Sequence, residues 1–184
     1  MKFTNGTLLA SLLAVALVAV AAPLKTDPAK SMVSASFKQM NVPVEAKFTK
    51  FAASIDYDAA KPDAAKATVD IDTASLDLGD PLMNKEVAKK DWFNSAQFPK
   101  ATFVSSGIKA AGPGKMTVSG KLSIKGKTTD VSFPLTVKSE GGKHTFDGAL
   151  PIKRLTYNIG DGEWKDTSMV ADEVIIKFRV SAAQ

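Results

Sequence analysis

Apolar and polar residues alternate with period two along most of the chain, the pattern that puts one set of side chains on each face of a β-strand. Residues 115–125 show it most clearly: Met116, Val118, Leu122 and Ile124 share one face, and Thr117, Ser119, Lys121, Ser123 and Lys125 the other. Residues 128–138 repeat it with Val131, Phe133, Leu135 and Val137, while Pro134 on the polar face predicts an edge or a bulge there. The same alternation runs through 173–181 (Val174, Ile176, Phe178, Val180) and 64–72 (Ala67, Val69, Ile71), and more weakly through 31–40, 101–109 and 143–153. Between Val44 and Tyr57 the apolar parity changes from Phe48 to Phe51, which predicts a bulge near Thr49 and Lys50. The pattern thus predicts eight strands.

Most connections are short and rich in turn formers, such as Gly112-Pro113-Gly114, Gly126-Lys127 and Gly141-Gly142, so sequential strands should pair as an antiparallel meander. With one apolar face per strand and no long amphipathic helix to cover a sheet, the expected fold is all-β, an up-and-down eight-stranded antiparallel barrel. A two-sheet sandwich is the competing arrangement. Two connections are long, 73–100 and 154–172. The first carries Asp80 followed by Pro81 and then good helix formers through Lys90, which predicts one short helix between the third and fourth strands. Trp92 and Phe93 follow it and could cap one end of the barrel.

The first residues read differently. Lys2 precedes an apolar run from Leu8 to Val20, broken only by Ser11, and Ala19 and Ala21 stand as in a signal-peptidase site. Residues 1–21 are therefore expected to be a secretory signal peptide, and removing these 21 of 184 residues leaves 163, residues 22–184, as one domain. The run is shorter than the roughly 18–20 apolar residues that span a bilayer, and no second candidate follows, so no integral membrane span is expected. The chain has no cysteine, which excludes disulfides, thiolate metal sites, a cysteine nucleophile and a lipidated N-terminal cysteine. Export without disulfides suits a bacterial periplasm, with secretion beyond it left open. Losing Lys2 leaves 23 basic residues against 19 acidic, a net of +4. These basic residues are scattered, so there is no dense patch of the kind nucleic acid requires.

Candidates for catalysis are few. His144 is the one histidine, and without an identifiable nucleophile or orienting carboxylate it reads as structural. Asp70, Asp72, Asp77 and Asp80 lack the glycine and terminal glutamate of a calcium loop and read as a solvated face. No catalytic residue, metal ligand or covalent cofactor is therefore assigned. What remains is a surplus of inward apolar and aromatic side chains in a fold that can be hollow. They either pack a solid core or line a channel, and periodicity alone does not choose.

Several segments in order resemble the YceI family of periplasmic polyisoprenoid and lipid-binding proteins, over about Leu24 to Val180. They are Asp27-Pro28 through Ser31, Phe48-Thr49-Lys50-Phe51 with Ile55-Asp56-Tyr57-Asp58, Val69-Asp70-Ile71-Asp72 with Ala74-Ser75-Leu76-Asp77, and Trp92-Phe93-Asn94 with Phe98-Pro99-Lys100-Ala101-Thr102-Phe103. Gly120 through Thr128, Arg154 and Ile159-Gly160 complete the set. Two positions depart from it: Ala46-Lys47-Phe48 lacks a glycine usual before the first aromatic, and Lys125 stands where many members carry histidine. The resemblance implies an extended, lipocalin-like barrel enclosing a long isoprenoid chain, such as a polyprenyl lipid or a quinone tail. On that reading Phe48, Phe51, Ile55, Phe103, Leu122, Ile124, Phe133, Phe146 and Phe178 line the tunnel, and Trp92 and Phe93 close or shape its end. Arg154, with Lys125 second, is the candidate partner for a polar or anionic head group; a surface ion pair is the competing reading of Arg154. A second copy of the chain, completing a longer tunnel, and a membrane redox or lipid-handling protein are the remaining partners such a role would bring. Two other classes stand beside it. One is a structural or adaptor protein of the envelope with a filled barrel; the other is a lipocalin-like enzyme on an apolar substrate, with His144 or Asp147 in its polar site.

Overall fold

The computed structural model of the chain describes residues 23–184, so the signal-peptide reading of residues 1–21 lies outside the described residues. The fold is all-β with one α-helix, and its strands form one curled antiparallel sheet. In chain order the strands are β1 (Lys25–Thr26), β2 (Met32–Gln39), β3 (Val42–Phe48), β4 (Phe51–Asp56), β5 (Lys66–Asp72) and β6 (Leu76–Asp77). After the helix α1 (Pro81–Val87) come β7 (Lys100–Gly112), β8 (Lys115–Ile124), β9 (Lys127–Glu140), β10 (Lys143–Lys153) and β11 (Glu173–Ala183).

This is an eleven-stranded sheet rather than an eight-stranded barrel. The expected runs are all strands, but 42–56 divides at Thr49–Lys50, and β1 and β6 are two-residue strands too short to show a period. At the division the backbone leaves the ladder and finds other partners. Thr49 N–H donates to the Ser75 carbonyl at 3.0 Å, and Lys50 N–H to Ser75 Oγ at 3.1 Å. The irregularity therefore falls where the parity changes. Ala46 needs no glycine: it is fully buried in a regular ladder opposite Ala35.

The hydrogen-bonded order runs β4-β5-β7-β8-β9-β10-β11-β2-β3-β6, with β1 paired to β11. β3 and β4, consecutive halves of one segment, thus sit far apart on the path, β4 at one end and β3 next to the two-residue β6 at the other. Leu24 bridges to Ile55 of β4 while Lys25 and Thr26 pair with Ala183 and Ala182 of β11. Leu24 to Thr26 therefore link β4 to β11, and the sheet wraps a single interior.

Local chemistry explains the turns. The β8–β9 hairpin turns through Lys125 and Gly126 with φ of 48° and 74°, and the β2–β3 hairpin through Met40 and Asn41 with 47° and 63°. Positive φ at both central residues matches the right-handed twist of the flanking strands. Pro134 lies within β9, which has neighbours on both sides, but the ladder to β10 begins only at Leu135. The missing N–H therefore falls where that side of β9 is unpaired. The helix starts at Asp80, whose carboxylate accepts from Leu82 N–H at 2.7 Å, with Pro81 at the first helical position.

The inner face carries the core, including Val118, Leu122, Ile124, Phe133, Phe146, Leu150 and Val180. Gly120 interrupts this set on β8. A methyl group there would lie 2.5 Å from the Val104 carbonyl oxygen and 2.5 Å from Phe103 Cε2. Backbone cannot yield as a side-chain tip does. Gly120→Ala should therefore lower stability by about 1–3 kcal/mol, read as a fall in the urea midpoint at unchanged slope.

Candidate functional site

Two cavities occupy the interior. One of about 110 Å³ lies among β2, β4, β5 and β7–β11 and is lined by apolar side chains and Tyr57. The other, of about 130 Å³, lies beneath α1 and the loop after β10. Ile71, Leu122 and Ile176 line both, so the two spaces adjoin across these three side chains. Each could hold several waters by size, but an apolar wall gives water no partners and favours hydrocarbon.

The first cavity is lined by Ile55, Phe103, Leu122, Phe133, Phe146 and Phe178 of the expected set. Phe48, Trp92, Phe93, Leu122, Ile124 and Arg154 line the second. Trp92 lies 5.3 Å from Trp164 with the two rings tilted by 52°, and Phe93 meets Phe48 edge-on at 6.2 Å. Met83 lines the second cavity and is 45% exposed, so α1 stands at its mouth. The polar side chains lining the second cavity besides Arg154 are Gln39 and Glu86.

Three expected roles change. Phe51 is half-buried at the start of β4, directly after the backbone has turned to Ser75, and lines neither cavity. Lys125 lines neither as well; its ammonium donates to the Asn158 carbonyl, tying the β8–β9 turn to the loop after β10. Partial burial lowers its pKa, and the charges of Asp161 and Asp91 oppose that.

Arg154 is the largest correction. It is 2% exposed, which excludes a surface ion pair. Its Nε donates to the Ala171 carbonyl at 3.1 Å, one terminal nitrogen to Ile159 at 2.8 Å and Gly160 at 3.1 Å, and the other to Trp164 at 2.6 Å and Val170 at 2.7 Å. A guanidinium has five N–H donors. All five are engaged by backbone carbonyls, and none is free for a head group. Burial pushes its pKa down from the usual arginine range, against the pull of Asp172. Gly160 has φ +78°, and a methyl there would fall 2.1 Å from an Arg154 terminal nitrogen. Ile159-Gly160 thus belongs with Arg154 because the guanidinium packs on bare backbone. Its ring neighbour is Trp92, 5.8 Å away.

The polar candidates are each occupied elsewhere. His144 is buried, its Nδ1 2.8 Å from Ser139 Oγ and its ring edge-on to Tyr57 at 5.0 Å. Asp147, next but two along β10, lies on the opposite face and pairs with Arg179 at 2.6 Å, so the two do not converge. Asp70 pairs with Lys100, Asp72 accepts from Ala74 N–H, Asp80 caps α1, and Asp77 is held below its usual range by hydrogen bonds from Asn84 and Gly79.

The YceI-like domain family matches residues 24–182. The chain belongs to this family. A curated relative from Azotobacter vinelandii, a UPF0312 protein, is 31% identical over 74% of this chain and 72% of its own length. A Pseudomonas putida UPF0312 protein is 35% identical over 53% of this chain, which spans about half (51%) of that relative. Among solved structures, Burkholderia cenocepacia BcnA matches at 55% identity and TM-score 0.84, over 86% of this chain and all (100%) of that one. A polyisoprenoid binding domain from Saccharophagus degradans, implicated in plant cell wall breakdown, shares the fold with TM-score 0.67 and 19% identity, over 89% and 98% of the two chains.

Further lining residues were partly legible. Met116, Val118, Val69, Val174 and Ile176 stand on the apolar parity of strands already recognised and line one cavity or the other. Trp164 and Val170 come from the long aperiodic loop and gave no such signal. Arg154→Met keeps a similar stem but strands several carbonyls. It should cost on the order of 3 kcal/mol or more, read as a lowered thermal midpoint, with Arg154→Lys recovering part of it. A variant melting like the native protein would mean that water replaces the guanidinium without loss.

Proposed function

We propose that the protein is a periplasmic carrier that holds a long isoprenoid lipid, a polyprenyl lipid or the tail of a quinone, in a hydrophobic barrel tunnel formed by the two adjoining cavities. The observation that carries this reading is the apolar lining, continuous from Tyr57 and Phe146 through Ile71, Leu122 and Ile176 to the mouth under α1. Two apolar spaces that adjoin across shared side chains suit a long apolar ligand. The Saccharophagus degradans neighbour, described as polyisoprenoid-binding, supports the same ligand class. Burying a chain gains roughly 0.8 kcal/mol per CH₂ removed from water, which offsets the cost of immobilising a flexible molecule. The apolar cavity takes the tail, and the head stays toward Gln39, Glu86 and the mouth. Binding without catalysis fits a site whose histidine and carboxylates are committed to structure.

The reading is tested by expressing residues 22–184 with export to a bacterial periplasm, purifying without detergent, and extracting with organic solvent for mass spectrometry. One isoprenoid at near one per chain is expected. No isoprenoid, together with no uptake of added polyprenyl lipid or quinone, would turn the assignment toward a filled structural barrel. Phe133→Asp, placing a carboxylate in the inner cavity, should abolish retention; a folded variant that keeps its lipid would contradict the lining.

A further inference from the structure

Strands β7 to β11 lie side by side, and a diagonal across their inner face reads Phe103, Gly120, Phe133, Gly148, Phe178. Gly148 stands directly opposite Phe178. Phe103 is paired with Leu122 and Phe133 with Val118, so both are diagonal neighbours of Gly120. The rings form a row, with centroids 5.5 Å apart from Phe103 to Phe133 and 5.5 Å from Phe133 to Phe178. All three line the inner cavity.

Two of these rings lie against backbone that only glycine leaves bare. A methyl group on Gly148 would fall 2.3 Å from Phe178 Cζ and 2.9 Å from both Cε atoms. One on Gly120 would fall 2.5 and 2.6 Å from Phe103 Cε2 and Cζ. These separations are far inside van der Waals contact, so a Cβ at either position must drive the ring off the wall. Phe178 cannot slide along the row, because Phe133 meets it edge-on at 79° and is itself backed by Phe103. The displacement is directed into the lumen.

We propose that Gly120 and Gly148 determine the free width of the tunnel, and that by letting the phenyl rings lie flat they admit methyl-branched chains rather than only straight ones. Neither glycine needs to touch the ligand: they are positioning residues that act through Phe103 and Phe178. The inference rests on the carrier reading and names what decides its ligand class. An isoprenoid is broader than an acyl chain by the methyl it carries at each unit, and room for a methyl is what a glycine Cα without Cβ provides. In a close-packed interior a discrepancy of that size is felt directly.

The test uses hexadecanoic acid and phytanic acid, its tetramethyl-branched counterpart, as displacers of N-phenylnaphthylamine fluorescence from the lipid-stripped protein. The readout is the ratio of the two affinities. Gly148→Ala should lower the phytanic-to-hexadecanoic ratio by about tenfold, the size of effect one methyl has in a tight apolar pocket. Phe178→Leu added to Gly148→Ala should restore it. Phe178→Trp, which enlarges the ring over an intact glycine, narrows the lumen by a second route that needs no change at Gly148 and should lower the same ratio. A ratio within roughly twofold of the native value in both narrowed proteins would overturn the proposal, as would a native lumen that takes neither acid. A protein that shows the ratio change yet carries no isoprenoid from the periplasm would keep the width assignment and contradict the carrier reading alone.

Discussion

Backbone groups along a sheet edge need partners, and in this protein one segment supplies them to both ends of the same sheet. β3 pairs with β2, β4 pairs with β5, and only Thr49 and Lys50 separate them. A sheet in which two halves of one continuous stretch lie at one end and next to the other must curl, and its inner faces then enclose a common space. The bend survives because Ser75 takes over the hydrogen bonds that Thr49 and Lys50 withdraw from the ladder. Leu24 to Thr26 fill the remaining gap between β4 and β11. The lumen is a consequence of how the backbone satisfies itself.

Closure alone would leave an interior to be filled. Here the aromatic side chains lie along the wall instead of across the middle, in part because Gly120 and Gly148 give Phe103 and Phe178 bare backbone to rest on. At the α1 end the wall is completed by a loop whose regular structure is limited to two short 3-10 turns, Arg154–Tyr157 and Gly162–Lys165, and there an unpaired carbonyl would be costly. Arg154 addresses that cost by drawing five carbonyls of residues 159–171 around one buried guanidinium. It builds the second cavity's wall, with Trp92 and Trp164 packed beside it.

Strand alternation made most of this visible in the sequence. The inward parity of β8 and β11 selects residues that line the cavities, as do Phe133 and Leu135 of β9, and the parity change at 48–51 locates the bend. Phe51 keeps the inward parity and pairs in register with Ile71, but it stands at the end of β4 beside the bend, where neither cavity reaches it, and alternation carries no mark of where a cavity stops. Arg154 misled for a different reason. A lone arginine after a strand carries no mark of burial in its neighbours' pattern, and its partners are carbonyls, which every residue possesses. Carbonyl ligation has no sequence signature apart from a glycine such as Gly160 held close to the guanidinium. The two-residue strands β1 and β6 were equally invisible, being too short for any period.

The central claim is that the two cavities act as one tunnel for one chain. A crystal structure of the protein purified with its lipid from the periplasm tests it most directly. The account predicts continuous ligand density passing between Ile71, Leu122 and Ile176, with the tail toward Tyr57 and the head under α1. Density confined to one cavity, with these three side chains closed against each other, would contradict it.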